Sequence, residues 1–204
     1  MDEKNLEFYN ARNSIYCYEN SNVLINKLNI KDSKKLQEAE EKIVAMKLYI
    51  LRQNKNIGNF SMNHFLNIHK FLFEDIYPFA GETRKENIAK GYFSFAEWEY
   101  IDDELNRLFN KLKEENYLKN CKKKEELSKD LAFYLSELNV LHPFREGNGR
   151  TIREFIRQLA YKNDYLFNLK NISSNEFYEA SVKSTIDTSD LENVIYECLE
   201  KIKQ

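Results

Sequence analysis

Two prolines, Pro78 and Pro143, and five glycines are all the strong helix breakers in a chain of 204 residues. Proline lacks the backbone donor a helix needs, and glycine loses the most entropy on coiling. Their scarcity leaves long tracts of Leu, Glu, Lys and Ala free to form helix. The expected fold class is therefore all-α. The length fits one domain with a real core, and no repeat, linker or low-complexity tract interrupts it. The expected organisation is a single domain over residues 1–204, with an N-terminal arm at 1–32 and a helical core at 33–204.

Hydrophobic periodicity places the helices. Asp32-Ser33 reads as a cap, followed by an apolar stripe of Leu36, Ala39, Ile43, Met46 and Ile50. A second helix is expected from Ser61, carrying Phe65, Ile68, Leu72 and Ile76 up to Pro78. Residues 81–95 break this pattern, since Gly81, Asn87 and Gly91 punctuate short alternating runs, and a small β-hairpin flap is expected there. Helical spacing returns at 100–112, at 127–138, and through Ile152, Phe155, Ile156 and Leu159. Two capping boxes, Ser173 with Glu176 and Ser189 with Glu192, open the last two helices.

Charge and composition exclude several classes. A formal net charge of -2 gives the whole molecule no strong attraction to nucleic acid or to an anionic membrane. No stretch reaches the roughly 20 apolar residues that span a bilayer. Cys17, Cys121 and Cys198 are too few and too scattered for a disulfide framework or a zinc site, which points to a reducing cytoplasm. Partners in nucleic acid or membrane are thus not expected, and any nucleotide must be held by a local site.

That site is legible at His142-Pro-Phe-Arg-Glu-Gly-Asn-Gly-Arg-Thr-Ile-Arg153. Gly147 and Gly149 flank Asn148 just before a helix, whose first N–H groups have no internal partners and can cradle phosphate. Arg150 and Arg153 lie three apart and project from the same side of the first turn, where guanidinium forks match phosphate oxygens. Glu146 is the one carboxylate of the segment and the candidate Mg²⁺ ligand. His142, with an ordinary pKa of about 6.5, is the candidate general base for a hydroxyl nucleophile. His64 and His69, each on a helix face, read as structural. The residues alone point to phosphoryl or nucleotidyl chemistry.

The segment also resembles a known family. It matches every fixed position of the Fic signature HPFx(D/E)GNGRxxR, and the likeness extends to residues 16–51, 68–84 and the flap. The resemblance implies an all-helical Fic bundle that acts as a protein adenylyltransferase, with ATP as co-substrate and Mg²⁺ as cofactor. His142 would deprotonate a Ser, Thr or Tyr hydroxyl of a target, which attacks the α-phosphorus of ATP and releases pyrophosphate. Glu146 would hold Mg²⁺, while Gly147, Asn148 and Gly149 would form the turn for the α- and β-phosphates. Arg150 would bind the β-phosphate and Arg153 the γ-phosphate, with Phe144 seating the loop in the core. The flap at 87–95 would register the target by main-chain pairing.

The resemblance leaves two other readings open. Doc-type kinases carry Lys near Gly149 and transfer phosphate from a reversed ATP, so Gly149 favours AMP transfer. A subunit of an antitoxin-controlled complex could keep the pocket without turnover, and intact His142 and Glu146 argue against that. Many Fic proteins carry an inhibitory pattern (S/T)xxxE(G/N), which Thr188 with Glu192-Asn193 satisfies. Because the capping box already accounts for these residues locally, the expectation is a small separate antitoxin that supplies the glutamate in trans.

Overall fold

The structure, a computed structural model, describes residues 14–53, 58–91 and 93–203. Among the described residues there are seven α-helices and two two-stranded antiparallel sheets, one of them the flap hairpin, which bears out a mainly helical fold with a small flap. Contacts divide the chain into two compact units: Met1–Asn56 with Leu66–Asp102 and His142–Asn148, and Ile57–Phe65 with Asp103–Leu141 and Gly149–Gln204.

In the first unit, α1 (Ser33–Gln53) begins where the cap predicts, with the Lys35 N–H donating to Asp32 Oδ1 at 2.9 Å. Its buried side is rotated from the expected stripe. Leu36, Glu40, Val44 and Lys47 are buried, whereas Met46 is 55% and Ile50 48% exposed. Two charged residues win burial because both are partnered. The Tyr77 hydroxyl donates to Glu40 Oε2, and Lys47 Nζ lies 2.8 Å from Asp75 and 3.2 Å from Glu74.

Helix α2 (Met62–Phe73) stops short of its expected end at Pro78. Ile76 is fully buried, but in a turn whose N–H returns to the Phe73 carbonyl, and its own carbonyl accepts from the Lys27 N–H at 2.8 Å. Proline at 78 also disfavours helical backbone at Tyr77, so the last turn tightens instead of extending. The flap pairs β1 (Ala89–Lys90) with β2 (Phe93–Ser94) in the register Ala89↔Ser94 and Lys90↔Phe93, with Gly91 at φ +60 in the turn.

In the second unit, α4 (Lys124–Leu141), preceded in the chain by α3 (Ile101–Glu114), packs on α7 (Ser189–Cys198), which also meets α6 (Ser174–Lys183). Helix α5 (Asn148–Lys162) buries Ile152, Phe155, Ile156 and Leu159, each at most 1% exposed, as its periodicity predicts. The Ser173 cap accepts from the Glu176 N–H at 3.1 Å. The second expected box does not form. Thr188 is the cap residue and its hydroxyl donates to Glu192 Oε1 at 2.7 Å, while the Ser189 hydroxyl turns back to Asp187. A hydroxyl one residue earlier captured the glutamate. A two-stranded antiparallel pairing of β3 (Tyr165–Phe167) with β4 (Leu199–Lys201) was not expected, because Leu199-Glu200-Lys201 carries helix-forming composition and its partner strand is distant in sequence.

Candidate active site

Within the first unit, the loop 142–148 is fixed almost atom by atom. His142 has φ +45, a left-handed conformation that costs a non-glycine residue on the order of 1 kcal/mol and persists only where surroundings hold it. The holder is Arg84, itself 1% exposed. Its Nε donates to the His142 carbonyl at 2.9 Å, and its backbone N–H to the Pro143 carbonyl at 2.8 Å. Nη1 and Nη2 reach the carbonyls of Glu86 and Ala96, one on either side of the flap. Three charge-assisted bonds to backbone oxygens compensate the desolvation of this buried cation.

Phe144 is fully buried and lies flat on His69, with ring centroids 3.8 Å apart and planes 4° apart. The Gly81 N–H donates to His69 Nδ1 at 2.8 Å, which assigns the ring proton to Nε2, and Nε2 therefore donates to the Glu146 carbonyl at 3.0 Å. His69 is structural, as expected, but what it structures is this loop. His64 is structural too: its Nδ1 accepts from the Phe60 N–H at 3.1 Å, and burial lowers its pKa. Arg145 is 3% exposed and paired with Glu86 at 2.9 Å.

Glu146 is half-buried, its Oε1 accepting from the Gly147 N–H at 2.8 Å. Gly147 has φ +79, and a Cβ there would lie 2.2 Å from the Phe73 ring. Glycine is required at 147 on both counts. Asn148 is 2% exposed, and its side chain grips the N–H and the carbonyl of Phe144. Its amide is thus spent on the loop, and only its backbone N–H, at the start of α5, remains suited to an anion.

In the second unit, the first two turns of α5 carry Arg150 and Arg153, both half-buried. Burial, and then the like charge of Arg150, hold the Arg153 pKa below its ordinary value, although an arginine stays charged at any physiological pH. A Cβ on Gly149 would sit 2.9 Å from Arg153 Nη1, so the glycine leaves room for that guanidinium. Arg157, one turn on, is neutralised by Glu154 at 2.7 Å and belongs to a structural pair. Glu192 is bound to Thr188, and among the described residues the charge that perturbs Arg153 is that of Arg150.

Residues 59–160 match the Fic/DOC family. Protein adenylyltransferase VbhT of Bartonella schoenbuchensis is 36% identical over 183 residues, which are 90% of this chain and 38% of VbhT. The probable protein adenylyltransferase y4lH of Sinorhizobium fredii is 34% identical over 176 residues, 86% of this chain and 90% of that one. The chain belongs to the Fic/DOC family. Its fold is correspondingly similar to the crystal structure of BepC, a VirB-translocated effector of Bartonella tribocorum with bound AMPPNP. That similarity has TM-score 0.83 and 26% identity and covers 92% of this chain and 97% of that one. The chain thus spans nearly the whole of y4lH and well under half of VbhT.

The residues that reading the Fic signature alone missed are Arg84, His69 and Phe95. Phe95 stacks on His142, with centroids 3.8 Å apart and planes 19° apart. Arg84 stands in the run Glu82-Thr83-Arg84-Lys85-Glu86, where nothing local marks it as 1% exposed. Burial of that kind is a tertiary fact.

Proposed function

We propose that this Fic/DOC protein is a protein adenylyltransferase, moving AMP from ATP onto a hydroxyl of another protein. The observation that carries it is the pair of half-buried guanidiniums, Arg150 and Arg153, three residues apart near the N-terminus of α5, the positive end of its dipole. Burial and the like charge of Arg150 both work against the Arg153 cation, and a polyphosphate relieves both.

In this reading His142 takes the proton of the target hydroxyl. The freed oxygen then bonds to the α-phosphorus, the bond from that phosphorus to the bridging oxygen breaks, and pyrophosphate leaves. Arg150 meets the β-phosphate, where charge develops on the leaving group, and Arg153 meets the γ-phosphate. Gly147 and Gly149, with the backbone N–H of Asn148, allow the phosphates close to the chain. Glu146 fits a Mg²⁺ site that takes one protein carboxylate and completes its shell with phosphate oxygens and water. The bound ion would neutralise phosphate charge. The flap would hold the target segment by strand pairing, with Phe93, 40% exposed on β2, facing outward.

We infer further that restraint comes from a separate antitoxin chain supplying a glutamate to Arg153. The bond between Thr188 and Glu192 supports this, since it gives the internal glutamate a local partner. No helix among the described residues is long and apolar enough to cross a membrane.

The test is His142→Ala. Loss of a general base costs about 10²–10⁴-fold in rate, so transfer to targets in a lysate should vanish while ATP binding, measured by calorimetry, persists. Transfer within a few-fold of wild type would remove His142 from the chemistry.

A further inference from the structure

The imidazole of His142 needs a defined plane if one of its nitrogens is to face a hydroxyl, yet the torsion that sets that plane is intrinsically broad and two-fold. Arg84 holds the backbone of His142 through its carbonyl, and an aromatic contact bears on the ring itself. Phe95, the residue after β2, lies nearly parallel to the imidazole at 3.8 Å. Phe95 is itself held on two sides. Its N–H donates to the Ile88 carbonyl at 3.2 Å, across the base of the flap, and its ring meets Phe93 edge-on at 5.3 Å.

One guanidinium joins these parts. Arg84 binds the His142 carbonyl, the Glu86 carbonyl before the flap and the Ala96 carbonyl after it. The backbone of His142 and both ends of the flap therefore share a single buried cation, and Phe95 lies next to Ala96, the residue this cation holds.

We propose that Phe95 is a positioning residue for His142, and that Arg84 locks the flap base to the loop so that the Phe95 ring sets the plane of the imidazole. The flap thus does more than offer an edge to a target, because its last aromatic ring orients the group that accepts the proton. This rests on the adenylyltransferase reading for its effect on rate, though not for the stacking itself. An aliphatic side chain at 95 removes the flat wall on which the imidazole lies and weakens the hold on its plane. Misplacement of a reacting group by about 1 Å can cost on the order of 10²-fold.

The test uses the full chain as wild type, Phe95→Leu and Phe95→Tyr. The protein has three histidines, His64, His69 and His142, so their ring signals are separable by NMR, with His142→Ala giving the assignment. A face-stacked phenyl ring shifts the His142 ring protons upfield. That shift should be present in wild type, lost in Phe95→Leu and kept in Phe95→Tyr, with His64 and His69 unmoved as a check on folding. In transfer assays kcat should fall about 10–100-fold in Phe95→Leu, with KM for ATP little changed, and return in Phe95→Tyr. Unshifted His142 protons in wild type, an unaltered His142 signal in Phe95→Leu, or a wild-type kcat in that variant would each overturn the proposal. If wild type transfers nothing, the adenylyltransferase reading fails, and the NMR comparison still decides the positioning role.

Discussion

Asn148 closes a ring with Phe144: its Oδ1 accepts from the Phe144 N–H at 2.8 Å and its Nδ2 donates to the Phe144 carbonyl at 2.7 Å. An amide is the one side chain of this length that both donates and accepts. Asn148→Asp keeps the shape and loses the donor, leaving a buried carbonyl beside a carboxylate. It should lower unfolding stability by roughly 1–3 kcal/mol or more, read by urea denaturation, with transfer lost in step. Wild-type stability in that variant would show that the amide does not hold the loop.

Gly147→Ala meets two obstacles, the left-handed backbone and the Phe73 ring. Together they should cost roughly 2–5 kcal/mol. Phe73→Leu in the same chain relieves the contact but not the backbone strain, so the double variant should recover part of the loss. Strict additivity of the two changes in denaturation would contradict the contact.

Most of the fold, and all the residues proposed for chemistry, were legible in the sequence. Side-chain periodicity and caps are local signals, so α5, the Asp32 and Ser173 caps and the flap emerge from residue order. What escaped was set by partners distant in sequence. Glu40 and Lys47 turn α1 because Tyr77, Glu74 and Asp75 answer their charges. Arg84 and His69 serve carbonyls at 142 and 146, and no local pattern announces that. Asn148 was read as part of the anion-binding turn, and its side chain also works as a staple on Phe144. The motif does not distinguish binding a ligand from building the loop that binds it.

Arg153→Ala should weaken ATP more than ADP, because the assigned contact is to the γ-phosphate. A charge-assisted bond contributes about 1.5–3 kcal/mol, or roughly 10–150-fold in affinity for ATP. Calorimetric titrations of both nucleotides give the comparison, and equal losses would contradict the assignment.

Glu192→Gly should leave transfer by the purified chain unchanged, since Glu192 is bound to Thr188 and the charge beside Arg153 is that of Arg150. Its effect should appear as a modest loss of stability of α7, about 0.5–1.5 kcal/mol for one hydrogen bond. Strong activation with tighter ATP binding and an intact fold would place the inhibitor within the chain and remove the need for a separate antitoxin.

The central claim is the group that moves. The chain is incubated with Mg²⁺, a lysate of potential targets, and ATP labelled in parallel reactions at the α- or the γ-phosphate, with His142→Ala as the control. Label on a protein from α-labelled ATP, none from γ-labelled ATP and none with the variant is the predicted result. Label from γ-labelled ATP alone would make the protein a phosphotransferase, and label from neither would leave it without the activity proposed for it.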